Sequence, residues 1–151
     1  MNKKLLIVGI VAVIAILVFA SLAFSASKNK GEYNYSLSNT TSFTYEGAFG
    51  TTTKNADAGK EFVVATITLK NLNHSDGIST NPFNFKLNVG GVMYSHDLAT
   101  YSHPGYKSTV SLGVGSQYTF TVVFQVPLGS TGATLVWDGI PSKVVYNGAL
   151  V

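Results

Sequence analysis

The sequence contains no cysteine and no arginine. Without cysteine the chain forms no disulfide, no thiolate metal site and no thiol nucleophile. All ten basic residues are lysines, and those after residue 24 number eight against seven carboxylates, a net charge of +1. A nucleic-acid-binding face needs clustered basic side chains, and arginine pairs best with phosphate. The composition therefore argues against a nucleic-acid partner.

Charge is scarcest near the N-terminus, where the run Leu5–Phe24 has no charged residue, Asn, Gln or Pro. Twenty helical residues span about 30 Å, the thickness of a bilayer's hydrocarbon core. We expect residues 1–24 to be an uncleaved signal-anchor, a transmembrane helix in contact with membrane lipid, and residues 25–31 to be a linker. Two alternatives stay open. Small residues around Ala23 also fit signal cleavage and secretion, and a pilin-like leader would free the helix for filament assembly, although Leu5 stands where such leaders carry Gly or Ala.

Two lysines precede this run and two follow it, so the free α-amino group decides the orientation and keeps the N-terminus inside. The protein is then expected in the cell membrane as a single-pass protein with its C-terminal domain extracellular. Three Asn-x-Ser/Thr sequons fit that location and are candidate N-glycosylation sites. They begin at Asn34, Asn39 and Asn73.

Beyond the linker, apolar and polar residues alternate with a period of two, which is typical of strands with one buried face. The clearest segments are 63–70, 83–89 and 118–126, and turn signals separate eight or nine such segments in all. The pattern predicts an all-β fold for residues 32–151, an immunoglobulin-like antiparallel β-sandwich preceded by one N-terminal hydrophobic helix. The aromatic residues predicted to lie in its core are Phe83, Phe85, Phe120, Phe124 and Trp137.

No motif for catalysis stands out. The three histidines lack the His-x-His spacing that puts two imidazoles on one face of a strand, and the loop aspartates lack the Asp-x-Asp spacing of a cation loop. There is no Gly-x-Ser-x-Gly and no glycine-rich turn that opens a helix. We expect a protein that is not an enzyme and has no cofactor or metal. The weaker alternative is a hydrolase that uses Asp97 or His103.

Aromatic residues in the polar segments between strands are the best candidates for contact with a ligand or partner, because exposed tyrosines anchor protein partners and stack on sugars. These candidates are Tyr94, Tyr101, His103 and Tyr106. The alternative is that the tyrosines close the ends of the sandwich. A second candidate surface is an edge strand able to pair with a neighbouring subunit. Its residues are Tyr33, Tyr35 and Leu37.

Four blocks of the sequence resemble a known family. They are 59–71, beginning Gly-Lys-Glu-Phe-Val-Val; 85–94, with Phe-x-Leu and a later Gly and Tyr; 112–127, with Leu-x-x-Gly and then Val-x-Phe-x-Val-Pro; and 133–138, Ala-Thr-Leu-Val-Trp-Asp. They resemble the telokin-like extracellular domains of unknown function, which are similar in fold to the mycobacterial immunoprotective extracellular protein, and the resemblance covers about residues 56–139. The resemblance implies an exported immunoglobulin-like domain that acts as a binding or assembly module. Many relatives carry a lipobox cysteine, which this chain lacks, so anchoring would fall to the N-terminal helix.

The first functional hypothesis is a membrane-anchored extracellular module of the cell envelope that binds a protein or envelope component without catalysis. The second is a structural subunit of a surface filament or an envelope-bound appendage, pilin-like or stator-like, in which the chain would form a homo-oligomer. The two differ physically, since filament subunits sediment as long assemblies and a monotopic binder does not.

Overall fold

The computed structural model describes residues 31–139 and 144–146. The predicted signal-anchor, residues 1–24, and the linker up to residue 30 lie outside these residues. Across the two described ranges, no helix is both long enough and apolar enough to cross a membrane.

Eleven β-strands and two short 3-10 helices make up the regular structure of the described residues, which contain no α-helix. The all-β class predicted from the alternation is therefore confirmed. The strands are β1 Gly31–Thr40, β2 Ser42–Gly47, β3 Gly50–Asn55, β4 Lys60–Asn71, β5 Ile78–Thr80, β6 Phe85–Val89, β7 Val92–Ser95, β8 Val110–Leu112, β9 Gln117–Pro127, β10 Thr134–Trp137 and β11 Val144–Tyr146. The 3-10 helices are η1 Pro82–Asn84 and η2 Leu98–Ser102.

The largest sheet has the strand order β11-β1-β4-β9, and β11 lies parallel to β1 whereas the other neighbours are antiparallel. A second sheet has the order β10-β6-β7, and β2–β3 and β5–β8 form two-stranded sheets. The long strands β4 and β9 lie side by side through eleven paired residues. They are the segments with the longest alternation in the sequence, and their apolar faces supply most of the core.

One apolar core is shared by the four-stranded and the three-stranded sheets. Ile67 of β4 and Phe120 of β9 pack in the same buried cluster as Phe85 and Leu87 of β6. Phe85 contacts Phe120 at 5.7 Å between ring centroids and Trp137 at 5.1 Å. Each such large side chain contributes about 1.5–3 kcal/mol on burial, so this cluster holds the two sheets together.

A second, smaller cluster lies on the opposite face of β4 and β9. The alternation of apolar and polar residues predicts that Val64 and Val123 lie on the solvent-exposed faces of their strands. This prediction is wrong, because both side chains are buried together with Phe62 and Ala99. Helix η2 and strand β2 cover this part of the sheet, and Phe43 of β2 lies 5.5 Å from the ring of Phe62. The central strands are thus buried on both faces over part of their length.

The prediction that Phe83 belongs to the core is also wrong. Asn81 caps η1, because its side-chain oxygen accepts the Phe83 N–H at 2.9 Å, and the Asn84 side chain accepts the Asn81 N–H at 3.0 Å. This reciprocal capping box starts a 3-10 turn, so β6 begins only at Phe85. The Phe83 side chain leaves the strand phase and is 63% exposed.

The predicted edge strand, β1, is partly covered. Gly31–Tyr33 pair with β11 on the side away from β4. Tyr33 and Tyr35 are buried in the shared core, Leu37 packs against it, and the Tyr33 hydroxyl donates to the Leu135 carbonyl at 3.3 Å. Pairing of this strand with a neighbouring subunit stays a prediction.

Candidate functional site: an exposed aromatic row beside a pinned 3-10 helix

Helix η2 is fixed to the edge of β9 by buried polar contacts. The side chain of Asp97 caps its N-terminus by accepting the Ala99 N–H at 2.8 Å. The Thr100 hydroxyl is buried, donates to the Val123 carbonyl at 3.0 Å and accepts the Val123 N–H at 3.0 Å. The Thr100 hydroxyl thus satisfies both the N–H and the C=O of Val123, as the backbone of a neighbouring strand would, and this holds η2 against β9.

Four aromatic side chains form a continuous row on this platform, and we call Phe83, His96, Tyr101 and Tyr106 the aromatic row. Ring centroids are 4.5 Å apart between Phe83 and His96, 5.8 Å between His96 and Tyr101, and 5.2 Å between Tyr101 and Tyr106. The rings meet edge to face, at 84°, 83° and 79°, which is the favoured geometry for aromatic pairs. Phe83 and Tyr101, the latter 41% exposed, present their rings to solvent.

His96 links the two ends of the row. Its Nε2 shares a hydrogen bond of 3.1 Å with the Tyr101 hydroxyl. Burial lowers the pKa of His96 below its usual value, nearby Lys86 lowers it further, and Asp97 raises it in part. The lowered pKa favours the neutral imidazole, so the row presents an aromatic surface without a fixed charge.

His103, predicted as a contact residue, points inward. Its Nδ1 accepts the Gly105 N–H at 3.2 Å and lies 2.9 Å from the Thr121 hydroxyl, and its ring meets Phe43 edge to face at 5.0 Å. An Nδ1 that accepts from a main-chain N–H carries no proton, so the proton of the neutral ring is on Nε2. Burial lowers the pKa of His103. The side chain joins β2, the loop after η2 and β9.

The structure thus brings together only two of the four predicted contact residues. Tyr101 and Tyr106 lie in the aromatic row, whereas His103 packs inward and Tyr94 is half-buried against the core. Phe83 and His96 were not among the contact residues predicted from the sequence. The Asn-Pro pair before Phe83 is a helix-start signal and would have removed that residue from the strand phase.

The loop aspartates Asp57, Asp76 and Asp97 do not come together in one cation-binding loop. Gln125 bridges Asp57 and Asp97 by donating from its amide nitrogen at 2.9 Å and 3.3 Å. Lys60 forms an ion pair with Asp57 at 3.0 Å, and this hydrogen bond and charge hold the pKa of Asp57 below its usual value. Asp76 lies apart, in the loop before β5. No group of three or more His, Asp or Glu side chains able to hold a metal occurs in the described part of the chain.

The sequon asparagines lie at three different places. Asn39 is exposed near the end of β1, Asn73 is exposed in the loop between β4 and β5, and Asn34 is half-buried within β1. Glycosylation at these positions stays a prediction.

The protein is thus an all-β domain that carries the aromatic row beside η2. The chain belongs to the family described as Domain of unknown function (DUF4352), which matches residues 38–144. This match extends the span of the predicted resemblance at both ends and agrees with a domain whose activity is unassigned. No curated protein and no solved structure matches the chain.

Proposed function

We propose that this chain is a membrane-anchored extracellular module of the cell envelope, and that it binds a protein partner through the aromatic row without catalysis. Its two facing sheets would form an immunoglobulin-like sandwich of the telokin-like kind, and the apolar run Leu5–Phe24 would hold it at the membrane. The core shared between the two sheets supports the sandwich. The composition of Leu5–Phe24, without charge over the length of a bilayer core, supports the anchor.

The observation that carries the proposal is the exposed aromatic row on a rigid platform. Tyrosine and other aromatic anchors dominate the energy of protein interfaces, and burying them costs least when they are already ordered. The capping box of η1 fixes the position of Phe83. The buried contacts of η2, together with the hydrogen bond between the Tyr101 hydroxyl and His96, fix the position of Tyr101. The partner would supply an apolar groove for the rings and hydrogen-bond acceptors for the tyrosine hydroxyls.

Edge-to-face packing favours a protein partner over a polysaccharide. A sugar chain stacks on ring faces that lie in one plane, whereas neighbouring rings of the row are almost perpendicular. An uneven surface of alternating ring edges and faces fits the side chains of a protein groove. A glycan partner is the outcome to be tested against it.

The test is saturable binding of the purified full chain, in detergent, to isolated cell envelopes of the source organism. The variant F83S/Y101S removes the two outward-facing rings, and we expect binding to weaken at least about tenfold. The matched control V114S/L128S removes two exposed apolar side chains elsewhere and should bind as the wild type does.

Equal affinity of the two double variants would contradict the proposal. Loss of wild-type binding after glycosidase treatment of the envelopes, with no loss after protease treatment, would replace the protein partner by a glycan.

A further inference from the structure

Strands β2 and β3 form a projecting arm, Ser42–Asn55, whose pairing runs without interruption from Ser42↔Asn55 to Gly47↔Gly50. Within residues 31–139 and 144–146, β3 pairs with β2 alone, and all six of its residues are exposed. Phe49, in the two-residue turn, is fully exposed. A two-stranded ribbon is marginally stable in water unless another strand or a packed face supports it. Among the strands of the described residues, none lies beside the outer edge of β3, so the outer part of the arm has room for a third strand.

The foot of the arm is held firmly. The Ala56 N–H donates to the Thr41 carbonyl at 2.8 Å, and Phe43 packs against the rings of Phe62 and His103 at 5.5 Å and 5.0 Å. These contacts fix the direction in which the arm projects. Six residues at about 3.4 Å each carry its tip about 20 Å beyond the foot.

The outer edge of β3 lacks the features that protect an exposed edge from pairing. Thr51–Thr53 are three consecutive β-branched residues, and Lys54 is the one charged residue of the strand. The strand contains no proline, and its register with β2 contains no bulge. Proteins normally block a free edge with prolines, bulges or several charges, so this edge accepts another strand.

The hydrogen-bonding phase of β3 is set by its foot. Because the Ala56 N–H bonds to Thr41 across the arm, and bonding residues of an antiparallel strand alternate, the even-numbered residues of β3 turn their main-chain groups toward β2. Thr51 and Thr53 therefore turn their N–H and C=O groups to the open edge. An added strand has to meet these two residues.

We propose that β3 pairs antiparallel with β3 of a second copy of this chain, with Thr52 of the two copies directly opposite each other. In this register Thr51 of one copy meets Thr53 of the other, and the outward-facing groups of both bond. Lys54 lies opposite Gly50 of the second copy, so like charges do not face each other. The threonine edge has no side-chain pockets that would select the sequence of a different protein. A two-fold axis through Thr52 makes the edge complementary to the same edge of a second copy.

The same register brings the exposed tip of one arm to the foot of the other. Phe49 falls level with Asn55 of the second copy, a residue that lines a niche of about 210 Å³. Leu98, 77% exposed, lies in the wall of this niche with Phe62. Each Phe49 ring would cover the Leu98 side chain of the other copy, and both exposed apolar groups would leave water together.

The chain has no native cysteine, so a disulfide formed by a variant with one introduced cysteine must involve that cysteine. Thr52 lies in a non-hydrogen-bonded pair of the proposed interface, where Cα atoms are about 4.5 Å apart and a disulfide forms without strain. We expect T52C, in the full chain in native membranes, to form a disulfide-linked dimer under mild oxidation at least about tenfold faster than T44C. Thr44 is exposed on β2 of the same arm, and three strand spacings would separate its two copies by about 14 Å.

Adding Phe49→Ala to T52C should lower the rate of dimer formation several-fold, because the tip no longer covers the niche. Equal rates for T52C and T44C would overturn the proposal, as would T52C adducts to a different protein. An unchanged rate for F49A/T52C would overturn the contact of Phe49 with the niche. The aromatic row is not used in this interface, so F83S/Y101S in the T52C background should cross-link normally.

Discussion

His96 precedes helix η2 and His103 follows it directly, and the two side chains have opposite roles. His96 lies in the exposed aromatic row and bonds to Tyr101, whereas His103 is turned inward and accepts the Gly105 N–H. A Cβ on Gly105 would come within 2.7 Å of the Thr121 side chain, so the loop that carries His103 can pack this closely against β9 only because residue 105 has no side chain. Burial lowers the pKa of both imidazoles, so the folded state favours the neutral form at each position.

The half-buried side chain of His103 makes the free energy of unfolding depend on pH. The folded-state pKa of His103 is lowered, so its contribution is complete above the unfolded value of about 6.5 and is lost as the pH falls through 6.5 toward the folded-state pKa. We expect His103→Asn, which keeps an acceptor near Nδ1 but does not titrate, to reduce the loss of stability between pH 7.5 and pH 5. The measurement is the urea midpoint across that range.

The matched control is His74→Asn in the loop before β5. Since the pKa of His96 is lowered as well, some pH dependence should remain in H103N. A pH dependence of H103N equal to that of H74N would show that His103 is not the titrating group.

The loop of the candidate site is predictable from the sequence, but the direction of its side chains is not. Tyr101, His103 and Tyr106 share one polar segment, and nothing local distinguishes them. What turns His103 inward is its contact with Thr121, eighteen residues later, and Phe43, sixty residues earlier. Such contacts exist only once β2 and β9 are in place.

At the scale of elements, η2 is the part that makes the candidate site rigid. Thr100→Val keeps the shape of the side chain but removes the hydroxyl that bonds to both main-chain groups of Val123. The buried Val123 N–H would then lack an acceptor, at a cost of about 1–3 kcal/mol in the free energy of unfolding. Urea unfolding measures this loss, and faster amide exchange at Ala99 and Thr100 should accompany it.

Thr66→Val is the control, because Thr66 is exposed on β4. A free energy of unfolding for T100V within about 0.5 kcal/mol of that for T66V would contradict the view that η2 is pinned through Thr100.

The elements that alternation could predict are the ones with apolar faces. Strands β4, β6 and β9 follow from the period of two, although β6 begins two residues later than expected because η1 intervenes. Strand β3 was not predicted, since its six residues are polar or glycine and have no apolar phase. Burial of Val64 and Val123 was not predicted either, because η2 and β2, which cover them, lie far away in the sequence.

At the scale of the whole molecule, both proposed contact surfaces lie toward the same end. At one end of the four-stranded sheet, Gly31 of β1 pairs with Asn71 of β4. At the other end, Thr40 of β1 pairs with Phe62 of β4, which in turn pairs with Gln125 of β9. The aromatic row adjoins β9 near Phe124, to which His96 is bridged, and the arm follows the Thr40 end of β1. Ten strand residues cover about 33 Å. A chain held at the membrane by its N-terminus would therefore present both surfaces away from the bilayer.

Photo-cross-linking on living cells would determine whether the aromatic row contacts a protein partner. The full chain would carry p-benzoylphenylalanine in place of Tyr101 or, as the control, in place of the exposed Val114 in the turn before β9. We expect one discrete protein adduct on irradiation of the Tyr101 variant and no such adduct from the Val114 variant. No adduct from Tyr101, or the same adducts from both positions, would show that the row does not contact a specific protein partner.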